Sequence, residues 1–320
     1  MKNKTLWIIK CSVLALLVLL MVIGTFCDLS ISKTIADLEM GKYFSSNHFA
    51  NFLEGAGELP TFILLGLCVA IFGYGFSCRK ENMKLAVLIV TAVLCFAVLS
   101  YGLIRSVESF AEIYDFADKI SWAGDELCCM LLALAIMAGG VLIGKKLGKE
   151  RVLRLYYFAL AVIIVCAVGF IITQGLKMIA SRPRFRAIHL LGDYDLFAPW
   201  YKANPFTDVP KSYLLLGVAE EGFSSFPSGH TSWASSLIMI AYLPYFIPNL
   251  TKKAKIWLVA TPTVFIVVVA FSRILAGAHY LTDVTFSMIF TFILAEIAVW
   301  FFNFKHKKAY PEISIVEENE

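Results

Sequence analysis

The chain has 320 residues, of which 59% are hydrophobic and only 16% are charged, and its mean hydropathy is +0.75. Soluble domains are close to half apolar and about a quarter charged, so this composition excludes an ordinary soluble domain and indicates a polytopic membrane protein. The formal net charge of +4 is small, and the basic residues are spread over short loops, so nucleic acid is not an expected partner.

Eight apolar stretches come close to the roughly 20 residues that a helix needs to cross a bilayer. In chain order they cover about 6–26, 60–79, 84–104, 127–144, 154–178, 229–248, 256–275 and 281–303. The first follows basic residues, as in a signal peptide, but it lacks a small-residue cleavage site before Asp28, which favours an uncleaved helix. We therefore predict an all-α fold, a polytopic bundle of about eight transmembrane helices.

Basic residues cluster at both ends of the chain and in every second loop between the apolar stretches. The clusters lie within 2–4, 79–84, 145–154, 252–255 and 305–308. The positive-inside rule places them, and with them both termini, in the cytoplasm. The remaining loops, near 27–59, 105–126, 179–228 and 276–280, then face outward. The expected location is a cell membrane, and the pattern suits a bacterial cytoplasmic membrane.

Three polar clusters interrupt the apolar sequence at the predicted outer ends of the last four helices. The first joins Lys177 to the run Ser181–Arg186, the second is Phe226–Thr231, and the third is Ser272–Asp283. Ionisable residues at membrane depth are costly, and they mark functional sites by default. The predicted topology brings all three clusters to one face of the membrane, where they can form a single site.

The third cluster contains a histidine and an aspartate four residues apart. On a helix this spacing puts both on one face, so Asp283 can accept a hydrogen bond from one imidazole nitrogen of His279. The other nitrogen is then available as a nucleophile or base. His230, just inside a predicted helix start, is placed to donate a proton to a leaving oxygen.

The other residues of the three clusters suit phosphate. Arg184 and Arg273 offer planar forks that bind phosphoryl oxygens in pairs, and Lys177 adds a compact charge. Ser228 and Gly229 lie where a helix begins, and free backbone amides at such a position attract anions. A single basic residue at a helix end more often reaches for lipid headgroups, and a single histidine more often has a structural role. The conjunction of the three clusters on one face favours a phosphate site.

These residues resemble the type 2 phosphatidic acid phosphatase family, which is related to the vanadium haloperoxidases. Its three signatures are Lys-x6-Arg-Pro, Pro-Ser-Gly-His and Ser-Arg-x5-His-x3-Asp. The second matches in full at Pro227–His230 and the third in full at Ser272–Asp283. The first departs from the pattern, because Arg184 is followed by Phe185 instead of proline and Arg182-Pro183 comes two residues early.

The resemblance implies metal-independent dephosphorylation through a phosphohistidine intermediate, with no metal site and no cofactor. By position, His279 would be the nucleophile, Asp283 its orienting partner and His230 the acid for the leaving group. The phosphate would be held by Lys177, Arg184, Ser228, Gly229 and Arg273, with Arg182 as the substitute for Arg184.

The resemblance also suggests a division of the chain. It covers roughly 84–303 and implies a membrane-embedded core of six helices. Residues 1–83 are then an N-terminal extension with two membrane helices, and residues 304–320 are a cytoplasmic tail that we expect to be partly disordered.

The expected function is hydrolysis of a phospholipid phosphate or a polyprenyl phosphate or diphosphate, within the lipid bilayer and at its outer face. A phosphotransferase that passes the phosphoryl group to another acceptor would use the same residues. A non-catalytic protein that binds or transports lipids on the same fold is a further alternative. The sequence does not select one lipid phosphate, and it leaves the oligomeric state open.

Overall fold

The computed structural model describes residues 3–79, 81–114, 122–203, 209–247 and 250–309. Regular secondary structure in these ranges is entirely helical, so the predicted all-α class is confirmed. The α-helices are α1 Asn3–Ile35, α2 His48–Ala56, α3 Leu59–Arg79, α4 Lys84–Ile113, α5 Trp122–Leu147, α6 Lys149–Arg154, α7 Tyr156–Ala180, α8 Phe185–Leu191, α9 Lys211–Leu214, α10 Gly229–Ser236, α11 Lys252–Leu275 and α12 Leu281–Ala309. Segments of 3₁₀-helix lie at Glu81–Met83, Tyr194–Leu196, Glu220–Phe223 and Leu237–Tyr245.

Seven helical segments of the described ranges are long and apolar enough to cross a membrane. They are Trp7–Ile35, His48–Arg79, Lys84–Ile113, Gly124–Leu142, Tyr156–Leu191, Lys252–Leu275 and Leu281–Ala309. Each contains one of the predicted apolar stretches or most of it. The protein is therefore an integral membrane protein with a polytopic helical bundle, as predicted.

The remaining predicted stretch, the sixth in chain order near 229–248, is helical but not one continuous α-helix. It consists of α10 followed by the 3₁₀ segment Leu237–Tyr245, which contains Pro244. Proline has no N–H donor, and its ring clashes with the carbonyl four residues earlier, so it disfavours an unbroken α-helix. Because of this break, the stretch near 229–248 is not one of the seven segments that are long and apolar enough to cross a membrane.

The chain divides into two compact units. The first consists of Met1–Glu54, Gly169–Ser235 and Ile266–Phe292, and the second of Gly55–Val168, Ser236–Phe265 and Ile293–Glu320. Every residue of the three polar clusters belongs to the first unit, and so do α1 and most of α2. The proposed boundaries at residues 83 and 303 stay a prediction, and residues 310–320 of the predicted tail lie outside the described ranges.

In the first unit, α1 packs closely on the start of α12 and the end of α11. Ile31 and Ile35 of α1 contact a buried cluster of Ala270, Ile274 and Val284. The turn of α1 that contains Gly24 lies closest to α12. A Cβ atom at Gly24 would lie 2.8 Å from Cγ2 of Thr282, so only glycine allows this approach.

The second unit contains the antiparallel pair α3 and α4, with α5 packed on α4. Leu99 and Leu103 of α4 form a buried cluster with Cys129 and Ala133 of α5. Two pairs of polar side chains in this unit bond to each other, which lowers the cost of placing them among apolar helices. Arg105 Nε donates to Glu58 at 2.9 Å, and the Tyr242 hydroxyl donates to Glu296 at 2.5 Å.

Candidate active site

The three polar clusters of the sequence meet in the first unit. The backbone N–H of Arg184 donates to the carbonyl of Gly222 at 2.8 Å, and that of Arg186 donates to the carbonyl of Gly277 at 2.8 Å. Between the second and third clusters, the N–H of Ser228 donates to the carbonyl of Asp283 at 3.3 Å. The backbone itself therefore ties together segments that are as much as about 100 residues apart in sequence.

His279 lies in a turn between α11 and α12, not on a helix. The turn includes Gly277, whose positive φ of 63° favours glycine. Nδ1 of His279 is 2.7 Å from the carbonyl oxygen of Ser225 and 3.8 Å from Oδ2 of Asp283. Because a carbonyl only accepts, Nδ1 carries the proton and Nε2 is left unprotonated. The interpretation that the pair shares a helix face is thus wrong, since α12 begins only at Leu281.

The environment of His279 keeps its imidazole neutral. Burial lowers the pKa of His279 to about 3, and the positive charges of Arg184 and Lys177 act in the same direction, against the opposite influence of Asp283. At neutral pH the ring is therefore uncharged. Arg184 and Lys177, two of the predicted phosphate-binding residues, thus act electrostatically on the imidazole.

Asp283 is fully enclosed and held by several donors. Oδ1 accepts from Arg182 Nη1 at 2.5 Å, and Oδ2 accepts from Ser225 Oγ at 2.6 Å and from the N–H of Tyr280 at 2.8 Å. Ser225 therefore contacts both His279, through its carbonyl, and Asp283, through its hydroxyl. Asp283 thus holds both Ser225 and Tyr280 in place next to His279, and its Oδ2 also faces the imidazole ring.

Arg182 is completely engaged by other groups of the protein. Its partners are the carbonyl of Ala198, the hydroxyl of Thr282 and the carboxylates of Asp283 and Asp28. Its side chain is fully buried, and the guanidinium also stacks 4.0 Å from the centre of the Tyr280 ring. Arg182 is thus a structural ion-pair partner in this state, and every nitrogen of its guanidinium is bonded to the protein.

Arg184 is placed differently. Nη1 is 2.6 Å from Oε1 of Glu221, while Nε is buried and makes no hydrogen bond to any of the described residues. A buried donor without a partner is costly, and it is a natural contact for an anion. The first signature fits either arginine, and of the two, Arg184 has such a buried donor while Arg182 does not.

Arg273 and Arg186 share a carboxylate that the motifs do not include. Glu54, near the end of α2, has Oε2 at 3.1 Å from Nη1 of Arg273 and Oε1 at 3.0 Å from Nη1 of Arg186. Nη2 of Arg273 also donates to the carbonyl of Ala50 at 2.6 Å. Neither Glu54 nor Arg186 belongs to one of the three motifs. The sequence marks them only as charged residues with mostly apolar neighbours, Arg186 being the third arginine after Arg182 and Arg184.

Glu221 is a second carboxylate that sequence reasoning missed. It lies in the 3₁₀ segment Glu220–Phe223, and its Oε1 is 2.6 Å from both Arg184 and Arg186. Burial raises the pKa of Glu221, but the charges of these two arginines outweigh that effect and hold it well below its usual range. Glu221 is therefore ionised at neutral pH and occupies part of the clamp.

The second cluster forms the start of α10, as predicted. The Ser228 hydroxyl is 3.0 Å from that of Thr231 and caps the helix, and a Cβ atom at Gly229 would be 3.9 Å from Nζ of Lys177. The Lys177 ammonium therefore lies close to the start of α10. Nε2 of His230 is 2.9 Å from the carbonyl of Glu54, so this nitrogen carries a proton.

Comparison with known proteins bears on the same segments. Residues 155–307 match the model of the PAP2 superfamily. The resemblance carried by the three motifs is thereby confirmed, and the matched region contains all of the predicted site residues.

The chain also matches a curated plant protein. The "Probable lipid phosphate phosphatase 4" of Arabidopsis thaliana is 27% identical over 170 residues, which are 51% of this chain and 52% of that protein. The chain thus spans about half the length of this relative. No solved structure matches the chain. Asp28 and Glu54 contact PAP2 residues but lie before the matched region.

Proposed function

We propose that this protein is a membrane phosphatase that hydrolyses a lipid-linked phosphate or diphosphate. The observation that carries the proposal is the state of His279: a neutral imidazole whose Nδ1 is held by a carbonyl, beside the cations Arg184 and Lys177. An imidazole in this tautomer presents the lone pair of Nε2 as a nucleophile. The match of residues 155–307 to the PAP2 superfamily and the name of the plant relative support the same class of reaction.

In the proposed reaction, Nε2 of His279 attacks phosphorus as the bond to the leaving oxygen breaks. His230, as an imidazolium, gives a proton to the leaving oxygen and becomes neutral. Neutral His230 then takes a proton from the water that attacks the phosphohistidine, the P–N bond breaks, and inorganic phosphate leaves with His279 and His230 restored.

The cations around His279 are proposed to stabilise charge on the equatorial phosphoryl oxygens. Four cations, Lys177, Arg184, Arg186 and Arg273, face two carboxylates, Glu54 and Glu221, which leaves two positive charges in excess. Electrostatic stabilisation of this kind is generally the largest contribution to phosphoryl transfer. Because these charges belong to the protein, we propose a reaction that is independent of added metal.

The decisive experiment is phosphate release by the purified protein from a panel of lipid phosphates and diphosphates, with and without a chelator. Release that survives the chelator supports the proposed reaction. His189→Ala is a suitable control, since His189 contacts Tyr194 and takes no part in the clamp. Label that moves from a labelled lipid to an acceptor would favour a phosphotransferase instead. A folded protein without turnover on any substrate would favour a lipid-binding or transport protein.

We also propose that both termini are cytoplasmic and that the site opens at the outer face, on the grounds of the basic loops. Reporter fusions to the C-terminus that are active only on the outer side would contradict this orientation.

The two arginines next to Pro183 should respond differently to substitution. Arg184→Ala should lower kcat/KM by about 10²- to 10³-fold in a folded protein, because it removes a donor aimed at the developing charge. Arg182→Ala should mainly reduce the yield of folded protein, because it leaves Asp28 and Asp283 buried without their partner. Kinetics and thermal unfolding of the two purified variants, measured side by side, test the assignment. The reverse pattern would make Arg182 the clamp.

The protonation state of His279 can be measured directly. Since its pKa is lowered to about 3, its ring should stay neutral as the pH falls from 7.5 to 5. In ¹⁵N spectra of histidine-labelled protein, the signal that disappears in His279→Ala should keep the shifts of a neutral ring over this range. A signal that titrates near 6.5 would show that the ring is not shielded as described.

A further inference from the structure

Asp28 is a buried carboxylate in an otherwise apolar part of α1. Its side chain is 2% exposed, and the helix segment around it is apolar enough to cross a membrane. An acidic group in such a segment is costly unless it is paired, and it marks a functional position by default. Asp28 lies outside residues 155–307, so the PAP2 match says nothing about its role.

The partners of Asp28 all lie beside the candidate nucleophile. Oδ2 accepts from Nη2 of Arg182 at 2.9 Å and from the Thr282 hydroxyl, and Oδ1 accepts from the N–H of Thr282 at 3.0 Å. Thr282 immediately precedes Asp283 at the start of α12. The close approach of Gly24 to Thr282 shows that α1 is shaped to bring this carboxylate into place.

Arg182 connects the two aspartates. Its Nη1 donates to Asp283 at 2.5 Å and its Nη2 donates to Asp28 at 2.9 Å, so one guanidinium lies between two carboxylates. Without Asp28, the charge of Arg182 would be neutralised by Asp283 alone. Asp283 would then have less negative charge with which to stabilise a positive or phosphorylated ring at His279.

We propose that Asp28 is a positioning residue for the phosphatase reaction, acting on His279 through Arg182 and Asp283. Asp28 holds the guanidinium of Arg182 in place, neutralises part of its positive charge, and anchors the first turn of α12 through Thr282. The N-terminal helix is therefore part of the catalytic apparatus rather than an added anchor. This inference rests on the proposed function.

The test is Asp28→Asn, which keeps the size of the side chain and removes its charge. We expect kcat to fall about 10- to 100-fold with an unchanged KM, as when a group that supports a catalytic ligand is removed. Asp37→Asn is the matched control. Asp37 lies in the segment after α1, and its carboxylate accepts a hydrogen bond from the Asn47 side chain, not from Arg182 or Thr282. This control should leave both constants unchanged.

A second variant keeps the test decisive if Asp28→Asn does not fold. Thr282→Val removes the hydroxyl that links Asp28 to Arg182, and it should also lower kcat without changing KM. Thr285→Val is its control, because Thr285 is buried on the same helix and its hydroxyl makes no hydrogen bond to any described residue. In a double variant, Asp28→Asn and Thr282→Val should lower kcat by less than the product of their separate effects.

The outcomes separate this inference from the proposed function. Normal kcat per folded molecule in Asp28→Asn, or a change confined to KM or to thermal stability, would overturn the positioning role while the wild-type protein still releases phosphate. A wild-type protein that releases no phosphate would overturn the proposed function itself. Effects of Asp28→Asn and Thr282→Val that multiply fully would also contradict a shared link through Arg182.

Discussion

Replacing His279 with alanine is expected to abolish phosphate release. Without the imidazole, no P–N bond can form, and the remaining clamp can only bind the phosphate. By comparison with other nucleophile deletions, we expect kcat to fall by at least about 10⁴-fold. The substitution removes a ring whose hydrogen bond is to a backbone carbonyl, so the protein should still fold.

The measurement should follow the intermediate as well as the product. With ³²P-labelled substrate quenched under alkaline denaturing conditions, which preserve phosphohistidine, the wild-type protein should retain label and His279→Ala should not. His189→Ala serves as the control for loss of a histidine elsewhere. Full activity in folded His279→Ala would exclude this residue as the nucleophile.

His230 should be distinguishable from His279 by the leaving group. His230→Ala should nearly abolish release from a lipid phosphate, because the leaving alkoxide needs a proton. A substrate with an acidic leaving group, such as p-nitrophenyl phosphate, needs no such proton and should restore much of the activity. Equal losses on both substrates would argue against a role as general acid.

The largest effect on stability is expected from Glu54→Gln. Glu54 pairs with Arg186 and Arg273, both fully buried, so loss of its charge leaves two guanidinium groups without a carboxylate at this position. Removal of one partner from a buried ion pair typically costs about 3–5 kcal/mol. We therefore expect a clear fall in the thermal unfolding temperature of the protein in detergent.

An exposed carboxylate provides the comparison for this substitution. Glu39 pairs with Lys42 at 2.7 Å on the surface, where solvent screens the interaction, so Glu39→Gln should change the unfolding temperature little. If Glu54→Gln unfolded at the wild-type temperature, the ion pairs of α2 would not contribute to the stability of the site.

The candidate site was only partly predictable. His230, His279, Asp283 and Arg273 stand in two motifs with complete spacing, and the chemistry of those residue types suggests phosphate without any coordinates. The geometry of the His279–Asp283 pair was predicted incorrectly, because its four-residue spacing was taken to lie on one helix, whereas α12 begins only at Leu281. The turn at Gly277 instead directs Nδ1 toward Ser225.

Motif spacing alone cannot decide whether Arg182 or Arg184 binds the phosphate. Both arginines lie within two residues of the expected position, and both have the same side chain. They differ only in their surroundings: Arg182 has carboxylates on both sides, while Arg184 has a buried donor without a partner. Those surroundings come from segments more than 30 residues away in sequence.

The amino-acid sequence by itself specifies the membrane helices and the type of chemistry. Both are local properties of the sequence. The length of an apolar run determines whether it can span a bilayer, and the residue types within a short motif determine which chemical groups are present. The pairing of charges depends on the fold. Asp28 and Arg182 are 154 residues apart, and Glu54 and Arg186 are 132 apart. Which carboxylate neutralises which arginine is set by helix packing, and no sequence spacing records it.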